Sequence, residues 1–314
     1  MATARPIIID TDPGQDDAVA ILAALASPAE LDVKALTAVA GNVPLVLTAT
    51  NCLKLVELAG RSEVPVYAGC ARPMMNELIT AEYVHGPTGL DGADLPDPKV
   101  TLGGAHGVDA MIDLLRSAGE DGITICTLGP LTNVAMAMVK APDIVPKIRE
   151  LVLMGGGFFE GGNVNPAAEF NILVDPHAAH VVFTSGVPLV MMPLDVTHKA
   201  LATQDRIAAF SALGSPAGQA VAGMLDFSER YDVEKFDSEG APLHDPCVVA
   251  YLLEPDLFSG RMCHVVIETA PGPTMGMTLV DWWDTTGKQP NTTVMNEIDA
   301  DRFFALLTER VGRL

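Results

Sequence analysis

The chain is 314 residues long and 49% hydrophobic, with a mean hydropathy of +0.29. That length suits one large α/β domain, and so apolar a composition excludes a disordered chain. With 19 basic against 40 acidic residues its formal net charge is −21, which opposes nucleic-acid backbones and anionic membranes and fits a neutral small molecule better than a phosphorylated one.

The first strand and the turn after it carry the densest chemistry. Ile7 to Ile9 is a short β-branched run, as expected of a strand buried on both faces. Pro13-Gly14 breaks it. Asp16 stands at the start of an apolar helix, Ala18 to Ala26, where an acidic residue suits capping and the helix dipole. Asp10, Asp12, Asp16 and Asp17 thus crowd into eight residues at the carboxyl end of a strand, where open α/β sheets place their ligands. Like charges so close raise one another's pKa or share a cation. The donors are hard oxygens with no Cys or His among them, which favours Ca²⁺ or Mg²⁺ over Zn²⁺. An Asp-rich turn that merely caps a helix is the plain alternative, but four carboxylates exceed what capping needs. An EF-hand loop counted from Asp10 would need an acid at Ile21, which excludes it.

A second strand is predicted from Leu31 to Val39, ending in Ala40-Gly41-Asn42. A helix follows with Pro44 in its first turn and Gly60 just past its end. A third strand spans Val64 to Tyr67, and this alternation implies right-handed parallel crossovers. Cys70 to Thr101 is a long Gly-, Pro- and Asp-rich connection, more often a lid or site loop than a linker. His85 inside it is either a substrate contact or an ordinary loop histidine.

The alternation resumes with a helix from Ala105 to Ser117, a strand from Ile123 to Leu128, a turn through Asn133 into a helix to Val139, and a strand from Ile148 to Met154. The cluster Gly155-Gly156-Gly157 with Gly161-Gly162-Asn163 opens no helix and lacks the dinucleotide fingerprint. Asp175-Pro176 caps a helix to Ser185, and Leu189 to Leu194 is a strand. Gln204 to Phe236 is mostly helical with a break near Pro216. The loop Asp237 to Leu243 delivers His244-Asp245-Pro246, and a helix runs on through Leu253. The end reads as a strand pair, Cys263 to Thr269 and Met275 to Trp283, a strand near Thr293 to Glu297, and a helix capped by Asp299. No repeat or linker interrupts the chain, so residues 1–314 are expected to form one domain with a mostly parallel, Rossmann-like sheet. The five scattered cysteines lack a Cys-x-x-Cys pair and read as reduced, in a cytoplasmic protein. No apolar run approaches a membrane span, and the N-terminus leaves no room for a signal peptide.

The run Asp10-Thr11-Asp12-Pro13-Gly14-Gln15-Asp16-Asp17 resembles the Asp-x-Asp-Pro-Gly-x-Asp-Asp signature of the nucleoside hydrolases, the inosine-uridine-preferring nucleosidase family. Four further motifs of that family follow in order: Gly41-Asn42, the Leu-Met-Gly-Gly-Gly run at Leu153 to Gly157, Ala168-Glu169-Phe170-Asn171, and His244-Asp245-Pro246. The resemblance implies Ca²⁺-dependent hydrolysis of ribonucleosides to ribose and base. Asp12, Asp17 and Asp245 would hold the metal with the backbone carbonyl of Leu128. Asp16 would take the proton of the attacking water, and His244, with His85 as its rival, would assist the leaving base. Asn42, Asn163, Glu169 and Asn171 would grip the ribose, with Asn165 a rival for Asn163. Asp10 would support the metal or reach the ribose, and His85 and Tyr231 would contact substrate. Relatives are homo-oligomers, dimers or tetramers. The base pocket departs from better-known subgroups. Purine-preferring relatives of the inosine-adenosine-guanosine type sandwich the base between tryptophans, whereas the two tryptophans here, Trp282 and Trp283, lie far from the motifs. Asp232 and Phe236 are not the polar residues usual beside Tyr231.

Overall fold

The computed structural model of the chain describes residues 4–236 and 238–314, without the side chains of residues 231–236. Eleven strands occur among them: β1 (Arg5–Thr11), β2 (Leu31–Ala38), β3 (Val66–Ala68), β4 (Ile123–Thr127), β5 (Ile148–Met154), β6 (Leu189–Met192), β7 (Leu201–Ala202), β8 (Ala241–Pro242), β9 (Phe258–Ile267), β10 (Thr278–Asp281) and β11 (Thr292–Ile298). The helices are α1 (Gln15–Leu25), α2 (Leu45–Leu58), α3 (Glu82–His85), α4 (Gly107–Arg116), α5 (Thr132–Lys140), α6 (Phe170–Val174), α7 (Pro176–Phe183), α8 (Leu194–Thr197), α9 (Gln204–Ser211), α10 (Pro216–Phe236), α11 (Pro246–Leu253) and α12 (Ala300–Val311).

Nine strands form one sheet in the order β10-β9-β11-β6-β5-β4-β1-β2-β3. Pairing is parallel from β3 to β11, and β9 and β10 add an antiparallel edge. The predicted mostly parallel sheet with flanking helices is therefore observed. The chain winds from β1 to β2 and β3 on one side, then returns to β4 on the other side of β1. That reversal opens a crevice at the carboxyl ends of β1 and β4, the usual ligand position of such sheets.

The core follows from strand periodicity. Ile7 and Ile9 point into one hydrophobic layer, with α1, α2, α11 and α12, while Ile8 points into the other, with α4, α5 and α7. All three are fully buried. Parallel strands covered on both faces need such continuous apolar runs. No described helix is long and apolar enough to cross a membrane.

Several boundaries differ from expectation, and two of the differences have a plain cause. The strand expected to reach Leu194 stops at Met192, and α8 follows behind Pro193. Proline has no N–H for the ladder, so the strand ends there. Strand β9 begins at Phe258, five residues before Cys263, because it pairs with β11 along that stretch. Its Ser259-Gly260-Arg261 is exposed and gives no alternating pattern to read.

Candidate active site

The turn after β1 supplies the first carboxylates. Asp10 is buried, and its Oδ1 accepts from Thr37 Oγ1 at 2.5 Å and Asn133 Nδ2 at 2.8 Å. Asp12 Oδ2 accepts from the Asn42 backbone N–H at 2.7 Å. Asp17 accepts from Thr11 Oγ1 at 2.5 Å and from the Gly14 N–H at 2.9 Å. Asp17, rather than Asp16, thus closes the first turn of α1, leaving Asp16 facing outward. Across the crevice, Asp245 sits at the N-cap of α11 without a capping side-chain bond. Its backbone N–H donates to Asp16 Oδ2 at 3.4 Å. Asp16, Asp17 and Asp245 each bring one oxygen within 4.8 Å of the others.

This cluster is short of donors. Asp10 Oδ2 and Asp12 Oδ1 are buried with no hydrogen-bond partner among the described residues. Burial, then the charge of Asp17, pushes the Asp12 carboxyl well above its usual range. Burial and then the charges of Asp16 and Asp17 do the same to Asp245. Asp17 is raised to about 6 by burial and Asp16, and Asp10 to about 7 by burial against the opposing hydrogen bonds of Thr37 and Asn133. Unpaired buried carboxylates take up protons or bind a cation, and this set of hard oxygens suits a divalent metal.

A cavity of about 510 Å³ opens over the cluster. Asp16, Asn42, His85, Leu128, Asn163, Glu169, Asn171, His244 and Asp245 all line it. Asp10, Asp12 and Asp17 lie below its surface. Neither Lys nor Arg is among the described lining residues. Asn165 does not line it either. Its Oδ1 accepts from the Ala167 and Ala168 N–H groups and closes its own turn. The side chain of Tyr231, like those of Asp232 and Phe236, falls outside the described residues.

The amide and carboxylate walls have structural duties as well. Glu169 caps α6, accepting from Asn171 N and Ile172 N, and it also accepts from Gly156 N at 2.9 Å. Burial still raises its carboxyl to about 7. Asn171 Nδ2 donates to the Leu128 carbonyl at 2.7 Å, which fixes that oxygen at the end of β4. Asn42 Nδ2 donates to the Asp12 carbonyl at 3.2 Å and to Asp17 Oδ2 at 3.3 Å. Asn163 Oδ1 accepts from Phe170 N at 3.0 Å.

The histidines stand opposite. His85, carried by α3, packs so closely on Gly14 that a Cβ there would collide with its ring. Its Nδ1 lies 2.6 Å from Gln15 Oε1. His244 Nδ1 lies 2.8 Å from Thr197 Oγ1. Burial lowers both histidine pKa values, that of His244 to about 4.

Sequence reasoning missed the residues that hold these groups. Short helix α8 supplies three. Asp195 accepts from the N–H groups of Phe158, Phe159 and Glu160, Thr197 meets His244, and His198 Nδ1 lies 3.2 Å from Glu160 Oε2 on the cavity wall. Asn133 fastens Asp10 from 123 residues away. Trp282 stacks on Phe158 with ring centroids 5.2 Å apart, and neither tryptophan lines the cavity.

The sequence profile described as "Inosine-uridine preferring nucleoside hydrolase" matches residues 7–305. The pyrimidine-specific ribonucleoside hydrolase RihA of Escherichia coli K12 is 47% identical over 309 residues, covering 98% of each chain. Among solved structures, the plant nucleoside hydrolase PpNRh1 superposes with a TM-score of 0.89 at 35% identity. A purine-preferring ribonucleoside hydrolase from Gardnerella vaginalis reaches 0.90 at 32% identity, and both structures cover 98% of each chain. Matches that span both partners, in sequence and in structure, show that the chain belongs to the inosine-uridine preferring nucleoside hydrolase family and is a ribonucleoside hydrolase.

Proposed function

We propose that this single-domain enzyme cleaves pyrimidine ribonucleosides to ribose and free base, with one Ca²⁺ held by Asp12, Asp17, Asp245 and the Leu128 carbonyl. The observation that carries the metal assignment is the crowding of buried carboxylates under the cavity, where Asp12 Oδ1 lacks a hydrogen-bond partner among the described residues and burial with neighbouring charge raises Asp245. Bound there, Ca²⁺ would supply positive charge and a template for ribose hydroxyls and water. The pyrimidine assignment is supported by the 47% identity to a relative named pyrimidine-specific, and by a cavity without tryptophan. Five free cysteines support a reducing, cytoplasmic location.

Cleavage breaks the C1′–N bond while positive charge builds on the ribose ring, as in other glycoside hydrolyses. Asn42, Asn163, Glu169 and Asn171 hold the sugar from the cavity wall, and Asp10 braces the floor from below. Asp16, partly exposed beside Asp17 and Asp245, takes a proton from water as its oxygen bonds to C1′. His244, neutral in its buried position, offers an N–H to the base nitrogen where negative charge collects. The proton removed by Asp16 balances the one the free base gains, returning through solvent. Phosphoryl hydrolysis would need cationic side chains for the phosphate, and neither Lys nor Arg is among the described lining residues.

The test is ribose release from uridine, cytidine and inosine, before and after exhaustive chelation. Uridine and cytidine are expected to react fastest, chelation to abolish turnover, and Ca²⁺ to restore it. Faster release from inosine would overturn the pyrimidine assignment, and full activity in Ca²⁺-free protein would overturn the metal.

A further inference from the structure

Two of the three histidines that line the cavity, His85 and His244, each make one hydrogen bond through Nδ1, and the partners differ in kind. Gln15 Nε2 donates to the carbonyls of His85 at 2.9 Å and Asp91 at 3.1 Å. Carbonyl oxygens only accept, so the amide cannot be turned round. Gln15 Oε1 therefore faces His85 Nδ1, at 2.6 Å, and an amide oxygen is only an acceptor. His85 must carry its proton on Nδ1, which leaves Nε2 bare.

Thr197 Oγ1 is the mirror case. The side chain is fully buried at the end of α8, and among the described residues its hydroxyl has no hydrogen-bond partner except His244 Nδ1, at 2.8 Å. If Nδ1 were the donor, the hydroxyl proton would be buried with no acceptor, a costly arrangement. The hydroxyl donates, Nδ1 accepts, and the neutral ring carries its proton on Nε2.

We propose that Gln15 and Thr197 hold His85 and His244 in opposite neutral tautomers, so that of these two rings His244 presents an Nε2–H to the departing base while His85 presents an acceptor. Thr197 and Gln15 are positioning residues, acting through the rings they orient. The kinetic consequence rests on the reading of His244 as the group that faces the leaving base. The tautomers themselves do not.

Long-range ¹H–¹⁵N correlation spectra of the whole protein read the tautomers directly, with His85→Ala and His244→Ala assigning the two rings. The expected result is a protonated Nδ1 on His85 and a protonated Nε2 on His244. Finding the proton on the same nitrogen in both rings overturns the proposal. The kinetic arm compares uridine with p-nitrophenyl riboside, whose leaving group departs without help. Thr197→Val removes the donor at nearly constant volume and should slow uridine cleavage about five- to tenfold, the worth of one ordinary net hydrogen bond, with a smaller effect on the activated substrate. Thr197→Ser keeps the hydroxyl and should restore uridine turnover. Should Thr197→Val fail to fold, the spectra and the serine variant still decide. If His244→Ala slows uridine selectively but Thr197→Val does not, the positioning role falls. If His244→Ala slows both substrates alike, the reading of His244 falls instead, and the spectra still report the tautomers.

Discussion

Asp195→Ala removes a carboxylate that does not line the cavity yet holds the loop beside it. In the native protein its two oxygens accept three consecutive N–H groups, at 2.9 Å from Phe158, 2.8 Å from Phe159 and 3.2 Å from Glu160. Hydrogen bonds to a charged group contribute roughly 1.5–3 kcal/mol each, and a donor left buried costs a similar amount. The loop residues Phe159 and Glu160 are exposed, so water can replace the carboxylate there, while Phe158 is packed against Trp282. One bond at full strength and two at a fraction give about 2–4 kcal/mol of lost stability for Asp195→Ala. Asp195→Asn keeps one acceptor and should lose roughly half of that. Because the same loop continues to Asn163 on the cavity wall, the Michaelis constant for nucleoside should rise by roughly tenfold, with a smaller fall in kcat. Urea denaturation and steady-state kinetics on uridine measure both effects. A stability loss below about 0.5 kcal/mol with an unchanged Michaelis constant would refute the reasoning. It would show that the Phe158–Trp282 stack holds the loop without Asp195.

Asp16→Asn should keep Ca²⁺ bound and cut turnover by roughly 10²-fold or more; a variant that loses the metal would make Asp16 a ligand, as its place beside Asp17 and Asp245 also permits. Deoxyribonucleosides should react roughly 10²-fold more slowly in kcat/KM, because a missing 2′-hydroxyl leaves wall groups unpaired, and equal rates on uridine and deoxyuridine would remove the sugar from this wall. In metal-free protein, Asp10 and Glu169 stand at about 7 and Asp17 at about 6, with Asp12 and Asp245 also raised. The folded state therefore binds more protons than the unfolded one between the unfolded carboxyl value near pH 4 and about pH 7, and stability falls as pH rises through that window. His85 and His244, lowered by burial, act in the opposite sense as pH drops below about 6.5, but five carboxylates outweigh two imidazoles. The metal-free protein should melt about 5 °C higher near pH 5.5 than near pH 7.5, a difference that saturating Ca²⁺ removes; a melting temperature that climbs with pH would contradict the raised carboxyls.

The strands and caps were legible because their signals are local. The apolar run before Pro13-Gly14, the Asp175 cap that accepts from Ala178 N, and the Asp299 cap that accepts from Arg302 N are all where sequence places them. The acidic cluster was legible for the same reason, since four of its members share one turn. What stayed hidden depends on distant partners or on elements too short to show a period. Helix α8 has four residues, fewer than two turns, so it shows no helical period, and Pro193 marks only where the strand before it stops. Asp195, Thr197 and His198 were hidden with it. Asn133 looks like an ordinary turn residue until the sheet brings it to Asp10. Gln15 occupies a variable place in the signature, and its role appears only when the loop of Asp91 folds back over it.

The position of Asp12 shows why this turn belongs to this sheet. A Cβ on Gly41 would collide with Asp12 Oδ2, and one on Gly129 with Asp12 Oδ1. Gly41 follows β2 and Gly129 follows β4, the two strands that flank β1. The carboxylate is thus gripped between the ends of both neighbours. Its hydrogen bond from them, the Asn42 N–H, comes from the residue next to Gly41. Glycine at both places is demanded by the approach of a side chain, not by backbone conformation, since neither residue has a positive φ. A crevice between adjacent parallel strands forms only where the winding reverses, and here that reversal lies at β1 and β4. Burying a carboxylate there, with one oxygen unpartnered, opposes folding in the absence of a cation. The glycines make that burial possible, and Asp17 and Asp245, raised like Asp12 by burial and by neighbouring charge, Asp16 included, complete a site whose repulsion a divalent ion would relieve.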